Sequence, residues 1–110
     1  MIKFIPFTFI IASFINLAIA NEKVVWVDVR SESEFKVQHV AGSRNIPHDK
    51  IGHSLHLLPK DKTIQINLYC RSGRRSNIAK LALTKLGFSN VHDKGGLDDL
   101  KRARLKLIEW

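Results

Sequence analysis

The chain has 110 residues, a formal charge of +8 and one cysteine. That length supports one compact domain around one core and is too short for two. A single cysteine excludes an internal disulfide framework, and the excess of Lys and Arg favours anionic ligands over cationic ones.

Lys3, an apolar run over residues 4–17 and the small residues of Ala18-Ile19-Ala20 follow the order of a secretory signal. A membrane span needs about 20 mainly apolar residues. This run is shorter and is interrupted by Pro6, Ser13 and Asn16. The pattern predicts a signal peptide over residues 1–20, cleavage after Ala20 and an exported domain over residues 21–110. An uncleaved N-terminal anchor in the inner membrane ranks second. Cleavage removes Lys3 and no acid, so the charge falls from +8 to +7. An exported protein seldom meets nucleic acid, so small anions or an anionic membrane face are the expected partners.

Val24-Val25-Trp26-Val27-Asp28-Val29 is apolar almost throughout and rich in β-branched residues, which predicts a strand covered on both faces. Ser31 with Glu34 three residues later is a capping-box pattern, and it predicts a short helix to about residue 39. Residues 43–47 read as a short extended piece. Ile51, Leu55 and Leu58 fall at helical spacing, and residues 59–62 read as a turn. A second strand is predicted over residues 63–69. A polar loop, Cys70-Arg71-Ser72-Gly73-Arg74-Arg75-Ser76, follows it. Ile78, Leu81, Ala82 and Leu86 then make a helical stripe, with the helix starting near Asn77 and Gly87 in the C-terminal cap position. A further strand is predicted over residues 88–92, a turn at Gly95-Gly96, and a basic helix over residues 97–107. Strands alternating with helices predict an α/β fold, an open parallel sheet flanked by helices, in which ligands bind at the strand C-terminal edge. Cys70 lies at that edge.

A lone cysteine in an exported chain is paired with another molecule, buried and inert, or reactive. Reactivity needs the thiolate, and an ordinary thiol with a pKa near 8.5 is only about 3% ionised at neutral pH. The segment after Cys70 carries the groups that lower such a value. Gly73 permits a tight turn in which backbone amides converge on one point. Ser76 is placed to cap the following helix, whose positive end faces the loop. Arg71, Arg74 and Arg75 add charge that does not titrate. On composition alone, a solvated basic turn is the competing reading.

Four motifs settle that choice. The loop resembles the C-x-x-G-x-R-S active-site loop of the rhodanese family. Val27-Asp28-Val29-Arg30 is similar to that family's first-strand D-x-R signature. His39-Val40-Ala41-Gly42-Ser43-Arg44-Asn45-Ile46-Pro47 resembles its H-[IV]-x-G-[AS]-x-N-[IV]-P segment, and Gly95-Gly96-Leu97 its late double-glycine turn. The order matches and the motifs span most of the chain after residue 20. With its size and signal, the chain looks most like the small single-domain periplasmic thiosulfate sulfurtransferases.

The resemblance implies a rhodanese-like fold and a ping-pong cycle, with Cys70 as nucleophile. Thiosulfate gives its outer sulfur to Cys70, sulfite leaves, and a covalent cysteine persulfide passes the sulfur to cyanide or a thiol, with no separate cofactor. The loop residues Arg71, Ser72, Gly73, Arg74, Arg75 and Ser76 would cradle the anion. Arg75 matches the motif arginine, whereas Arg71 and Arg74 would recruit substrate. Asp28 and Arg30 would serve positioning and structure. Small sulfur-containing anions and a thiol protein acceptor are the implied partners, and a monomer is expected.

Other chemistries fit less well. Cysteine phosphatases on this fold use C-x-x-x-x-x-R, and here the sixth residue after Cys70 is Ser76. His48, His53 and His56 cluster, the last two on one predicted helix face, but no Cys or carboxylate completes a ligand set, so no metal is expected. The basic stretch over residues 101–107 would lie as a solvated face over Leu97, Leu100, Arg104 and Leu107, with membrane docking the lesser reading. A persulfide carrier fed by a protein partner, with little thiosulfate turnover, is the alternative function.

Overall fold

The computed structural model describes residues 23–109, so the expected signal peptide and its cleavage point lie outside the described residues. The elements in chain order are β1 (Val24–Asp28), α1 (Glu32–Val37), β2 (Gln38–Val40), β3 (Arg44–Asn45), two 3-10 turns (Ile51–His53 and Leu55–Leu57), β4 (Gln65–Cys70), α2 (Arg74–Lys85), β5 (Val91–Gly96), α3 (Leu97–Arg102) and β6 (Leu107–Glu109). Four parallel strands form one sheet in the order β3-β1-β4-β5, and β2 pairs antiparallel with β6 in a small second sheet. This is the expected parallel α/β architecture, with the strand C-terminal ends gathered on one edge.

Alternation along the central strands sends side chains to two separate cores. Val25 and Val27 of β1, and Ile66, Leu68 and Cys70 of β4, face a cluster that includes Ala79 and Leu83 of α2. Trp26 and Tyr69 point the other way, to Val40, Leu97, Leu100 and Leu107. Both faces of β1 and β4 are therefore covered, as the apolar run of residues 24–29 predicts. Each fully buried Val or Leu is worth about 1.5–3 kcal/mol relative to exposure.

Several boundaries differ from the sequence expectation. The residues from Asp49 to Leu58 form two separate 3-10 turns instead of one helix, so His53 and His56 sit on different turns. Among the described residues no three His, Cys, Asp or Glu side chains gather to hold a metal ion. Helix α2 begins at Arg74, three residues early, and buries Ser76, Ala79 and Leu83. The predicted stripe is largely on its outside: Ile78, Leu81 and Leu86 are exposed. Small side chains at 76 and 79 let the helix approach the sheet closely, a preference that hydrophobicity alone does not reveal. Gly87 does end α2, with φ +97°, and Phe88 N–H closes the cap onto the Leu83 carbonyl at 3.1 Å.

The fourth parallel strand starts at Val91, because Phe88 is a core residue in the preceding connection, and it runs through Gly96. The basic helix stops at Arg102. Arg104 takes φ +63°, and the chain turns back as β6 to pair with β2. Leu97 and Leu100 are buried as predicted, but Leu107 reaches the same cluster from a strand, and Arg104 is exposed. A six-residue helix does not offer the long basic face on which the membrane reading rested.

Candidate active site

Four strand ends build the site: Asp28 of β1, Asn45 of β3, Cys70 of β4 and Gly96 of β5. Asp28 and Arg30 form its floor. Asp28 is wholly buried, and its carboxylate accepts from the Arg30 backbone amide at 2.9 Å, from Nε at 3.0 Å and from Nη2 at 2.7 Å. Arg30 also donates to the Gln38 carbonyl and lies 6.0 Å from the Tyr69 ring centre. Asn45 Nδ2 donates to the carbonyls of Asp28 and Arg30, both at 3.1 Å. Tyr69 accepts from the Val40 amide at 3.0 Å and meets the Ser43 hydroxyl at 2.9 Å. The D-x-R and H-V-A-G-S-R-N-I-P segments are thus tied to each other and to β4.

Cys70 ends β4 with its side chain fully buried. Its sulfur accepts a hydrogen bond from the Gly73 amide at 2.9 Å and lies 3.5 Å from the Ser76 hydroxyl. Gly73 makes this possible with φ +99°, a conformation that costs other residues strain and that turns the loop amides inward. It is also the N-cap of α2, so the positive end of a 12-residue helix faces the sulfur. Burial pushes the thiol up, but hydrogen bonds to the ionised sulfur from the Ser76 hydroxyl and from the amides of Ser76, Gly73 and Ser72 outweigh it, and Cys70 sits below the ordinary thiol value. The loop is an anion nest centred on sulfur.

The other loop residues divide. Arg71, Ser72 and Arg74 are exposed. Arg71 borders a cleft of about 310 Å³ beside the loop, together with Arg30, Glu34, Leu97 and Lys101. Ser76 is not the helix cap; it is buried in the first turn of α2, because the helix starts at Arg74. Its hydroxyl contacts Sγ, the Gly73 carbonyl at 3.1 Å and Asp93 Oδ1 at 2.7 Å.

Arg75 does not point its guanidinium into the loop. It makes a two-pronged ion pair with Glu34, Nη1 to Oε1 at 2.8 Å and Nη2 to Oε2 at 3.1 Å, and acts on Cys70 only through its charge. Glu34 also closes the capping box of α1 with Ser31, so one carboxylate joins that helix end to the loop. The Arg75 hydrogen bonds, aided by those from Ser31 and opposed by burial, hold Glu34 down from 4.5 to about 2. The folded value lies below the unfolded one. The pair's stabilisation is therefore complete above about 4.5 and is lost as pH falls through about 2. Glu34→Gln is expected to flatten the pH dependence of stability across that window, read by denaturant midpoints at stepped pH. A wild-type slope retained in the variant would contradict it.

Three contributors carry little sign in the sequence of their place at the loop. Glu34 lies 41 positions from Arg75, and no local pattern pairs them. Gly96 lies so close to the loop that a Cβ there would sit 2.3 Å from the Arg71 carbonyl oxygen. Asp93 reaches Ser76, and its one visible signal was D-x-G-G, in which a carboxylate accepts from the amide two residues on, here Gly95 at 2.9 Å.

Residues 13–103 match the Rhodanese-like domain. The chain belongs to the rhodanese-like family. Its rhodanese fold aligns with a solved structure described as a rhodanese with anions from E. coli, at a TM-score of 0.72 and 30% identity, covering 79% of this chain and 99% of that one. Thiosulfate sulfurtransferase PspE of Escherichia coli is 33% identical over 81 residues, which is 74% of this chain and 78% of the relative. The tRNA uridine(34) hydroxylase of Buchnera aphidicola is 31% identical across 93% of this chain, but this chain spans only 34% of that protein. Membership in the rhodanese-like family supports sulfurtransferase-type chemistry through a cysteine persulfide, and Cys70 is the one cysteine able to carry it.

Proposed function

We propose that the protein is a thiosulfate sulfurtransferase that works through a Cys70 persulfide. The Cys70 thiolate attacks the outer sulfur of thiosulfate. A new S–S bond forms, the old one breaks, and its electron pair leaves with sulfite. Cyanide or a thiol then attacks the outer persulfide sulfur, and Cys70 departs as thiolate. The supporting observation is the buried sulfur at the focus of the loop amides, with Gly73 N–H at 2.9 Å. Preorganised donors of this kind stabilise thiolate, persulfide and a bound dianion alike. The match to PspE over most of both chains favours thiosulfate as donor. A persulfide carrier is the second reading, favoured by relatives such as the tRNA hydroxylases, in which a similar segment is a minor part of a larger protein.

The composition of residues 1–20 supports a cleaved export signal and a periplasmic domain over residues 21–110, acting as a monomer on small sulfur-containing anions and a thiol protein acceptor. Purified mature protein given thiosulfate and cyanide is expected to form thiocyanate, and Cys70→Ser to form none above background. Thiosulfate alone should add one sulfur, about 32 Da, removable by reductant, as nucleophilic attack with a persulfide left behind requires. Stoichiometric loading without turnover would favour the carrier. No sulfur gain from thiosulfate, together with unchanged activity in Cys70→Ser, would overturn the proposal.

A further inference from the structure

Asp93 is the charged side chain behind Ser76 that the reaction just described does not use. Its position follows from the end of β5. Leu68 pairs with Asp93 and Cys70 with Gly96, so β5 carries one extra residue between the two pairs, a bulge at which Gly95 adopts φ +84°. Asp93 therefore shares the face of Leu68 and Cys70, the one covered by α2, where Ser76 lies. Asp93 Oδ1 meets the Ser76 hydroxyl at 2.7 Å and also accepts from the Gly95 amide at 2.9 Å.

The Ser76 hydroxyl has one proton and three polar neighbours: Asp93 Oδ1 at 2.7 Å, the Gly73 carbonyl at 3.1 Å and Cys70 Sγ at 3.5 Å. A carboxylate at the shortest distance makes the strongest of these bonds. The proton goes to Asp93, and a serine lone pair is left facing sulfur.

We propose that Asp93 is a positioning residue for Cys70: by holding the Ser76 proton while the sulfur is a thiol, it makes that hydroxyl an acceptor for the S–H and so moderates the ionisation that the loop amides favour. In this resting state the S–H donates to Ser76 Oγ, and Ser76 O–H donates to Asp93. On ionisation the sulfur's proton passes to Oγ while the former Ser76 proton passes to Oδ1. Asp93, only partly buried, releases it to water. Ser76 then donates to the thiolate, and the carboxylate stays held by Gly95. Asp93 therefore opposes the loop amides and sets how readily the thiol ionises. Arg75 on α2 favours the thiolate through its charge, while Arg71 and Arg74 lie exposed on the loop. On β1, Asp28 is occupied by Arg30.

The inference deepens the reading of Cys70 as the reacting sulfur, but its test needs no turnover, so the two can fail separately. Thiolate ultraviolet absorbance against pH has one source here, because the chain has one cysteine. Asp93→Asn is expected to lower the ionisation midpoint by about one unit, tenfold in the thiolate ratio. In a Ser76→Ala background the same change should have no effect. A midpoint unmoved or raised by Asp93→Asn, or an equal shift in the Ser76→Ala background, would overturn the proposal. The S–H infrared stretch of the wild-type protein gives a readout that survives any folding failure of the variants. It is expected at the lowered frequency of a donating thiol, and a free-thiol frequency would sink the idea.

Discussion

Replacing Arg30 with alanine is expected to destabilise the fold by about 3–5 kcal/mol, the largest stability effect anticipated for a single change. The cause is the partner left behind. Asp28 has no exposed surface, and three of its hydrogen bonds come from the Arg30 side chain. Without that guanidinium a carboxylate would stay charged in a closed site or take up a proton, and either is costly. The Gln38 carbonyl would also lose its donor. Urea unfolding of the variant beside wild type measures the loss. Removing both charges together, with Asp28→Asn and Arg30→Met, should recover a large part of it, because the pair costs desolvation that apolar packing does not. A loss under about 1 kcal/mol for Arg30→Ala would mean that water reaches Asp28, contrary to the packing described.

Gly96→Ala is expected to lower the proposed thiosulfate turnover by about 100-fold, the largest loss short of removing Cys70, since misplacing reacting groups by an ångström has effects of that order. A Cβ at Gly96 would meet the Arg71 carbonyl oxygen at 2.3 Å and its carbon at 3.0 Å. Those are backbone atoms of the residue next to Cys70, so no side-chain rotation relieves the contact. Either β5 withdraws or the loop shifts, and both disturb the amides around the sulfur. Overpacking of this kind costs about 1–3 kcal/mol in stability as well. Gly52→Ala is the control: it has open space around its Cβ position and needs no positive φ. Thiocyanate initial rates at a temperature where both variants are folded separate the two effects. Wild-type rates for Gly96→Ala would show that the loop does not depend on that close approach.

What was legible in the sequence was whatever depends on neighbours a few positions apart. The β-branched run of β1, the Ser31–Glu34 capping box, the Gly87 helix stop and the loop after Cys70 all stand where local rules put them. Features decided by remote partners were not legible. Arg104 carries no Gly or Pro signal, yet the chain turns there because β6 finds hydrogen bonds on β2, about 70 positions earlier in the chain. The apolar stripe on α2 does not mark its buried face, because the helix lies close to the sheet through the small side chains of Ser76 and Ala79. Arg75 looked like an anion ligand because charge is visible in sequence and geometry is not. Its fork is fixed to Glu34. The loop is therefore polarised around the sulfur by the Ser76 hydroxyl and by the backbone amides of Ser76, Gly73 and Ser72 once Gly73 sets the turn, and not by the Arg75 fork.

Under the proposed cycle, the complete enclosure of the Cys70 sulfur would also decide which atom of the persulfide a nucleophile can touch. The inner sulfur would stay walled in by the strand end and the loop, so that an acceptor would meet a second sulfur added to it before the inner one. Attack at the outer atom hands the cargo over, and attack at the inner one would strand an acceptor on the protein as a mixed disulfide. Shape alone thus biases the exchange towards delivery, and the same wall shields the unloaded thiol from bulky disulfides in its surroundings.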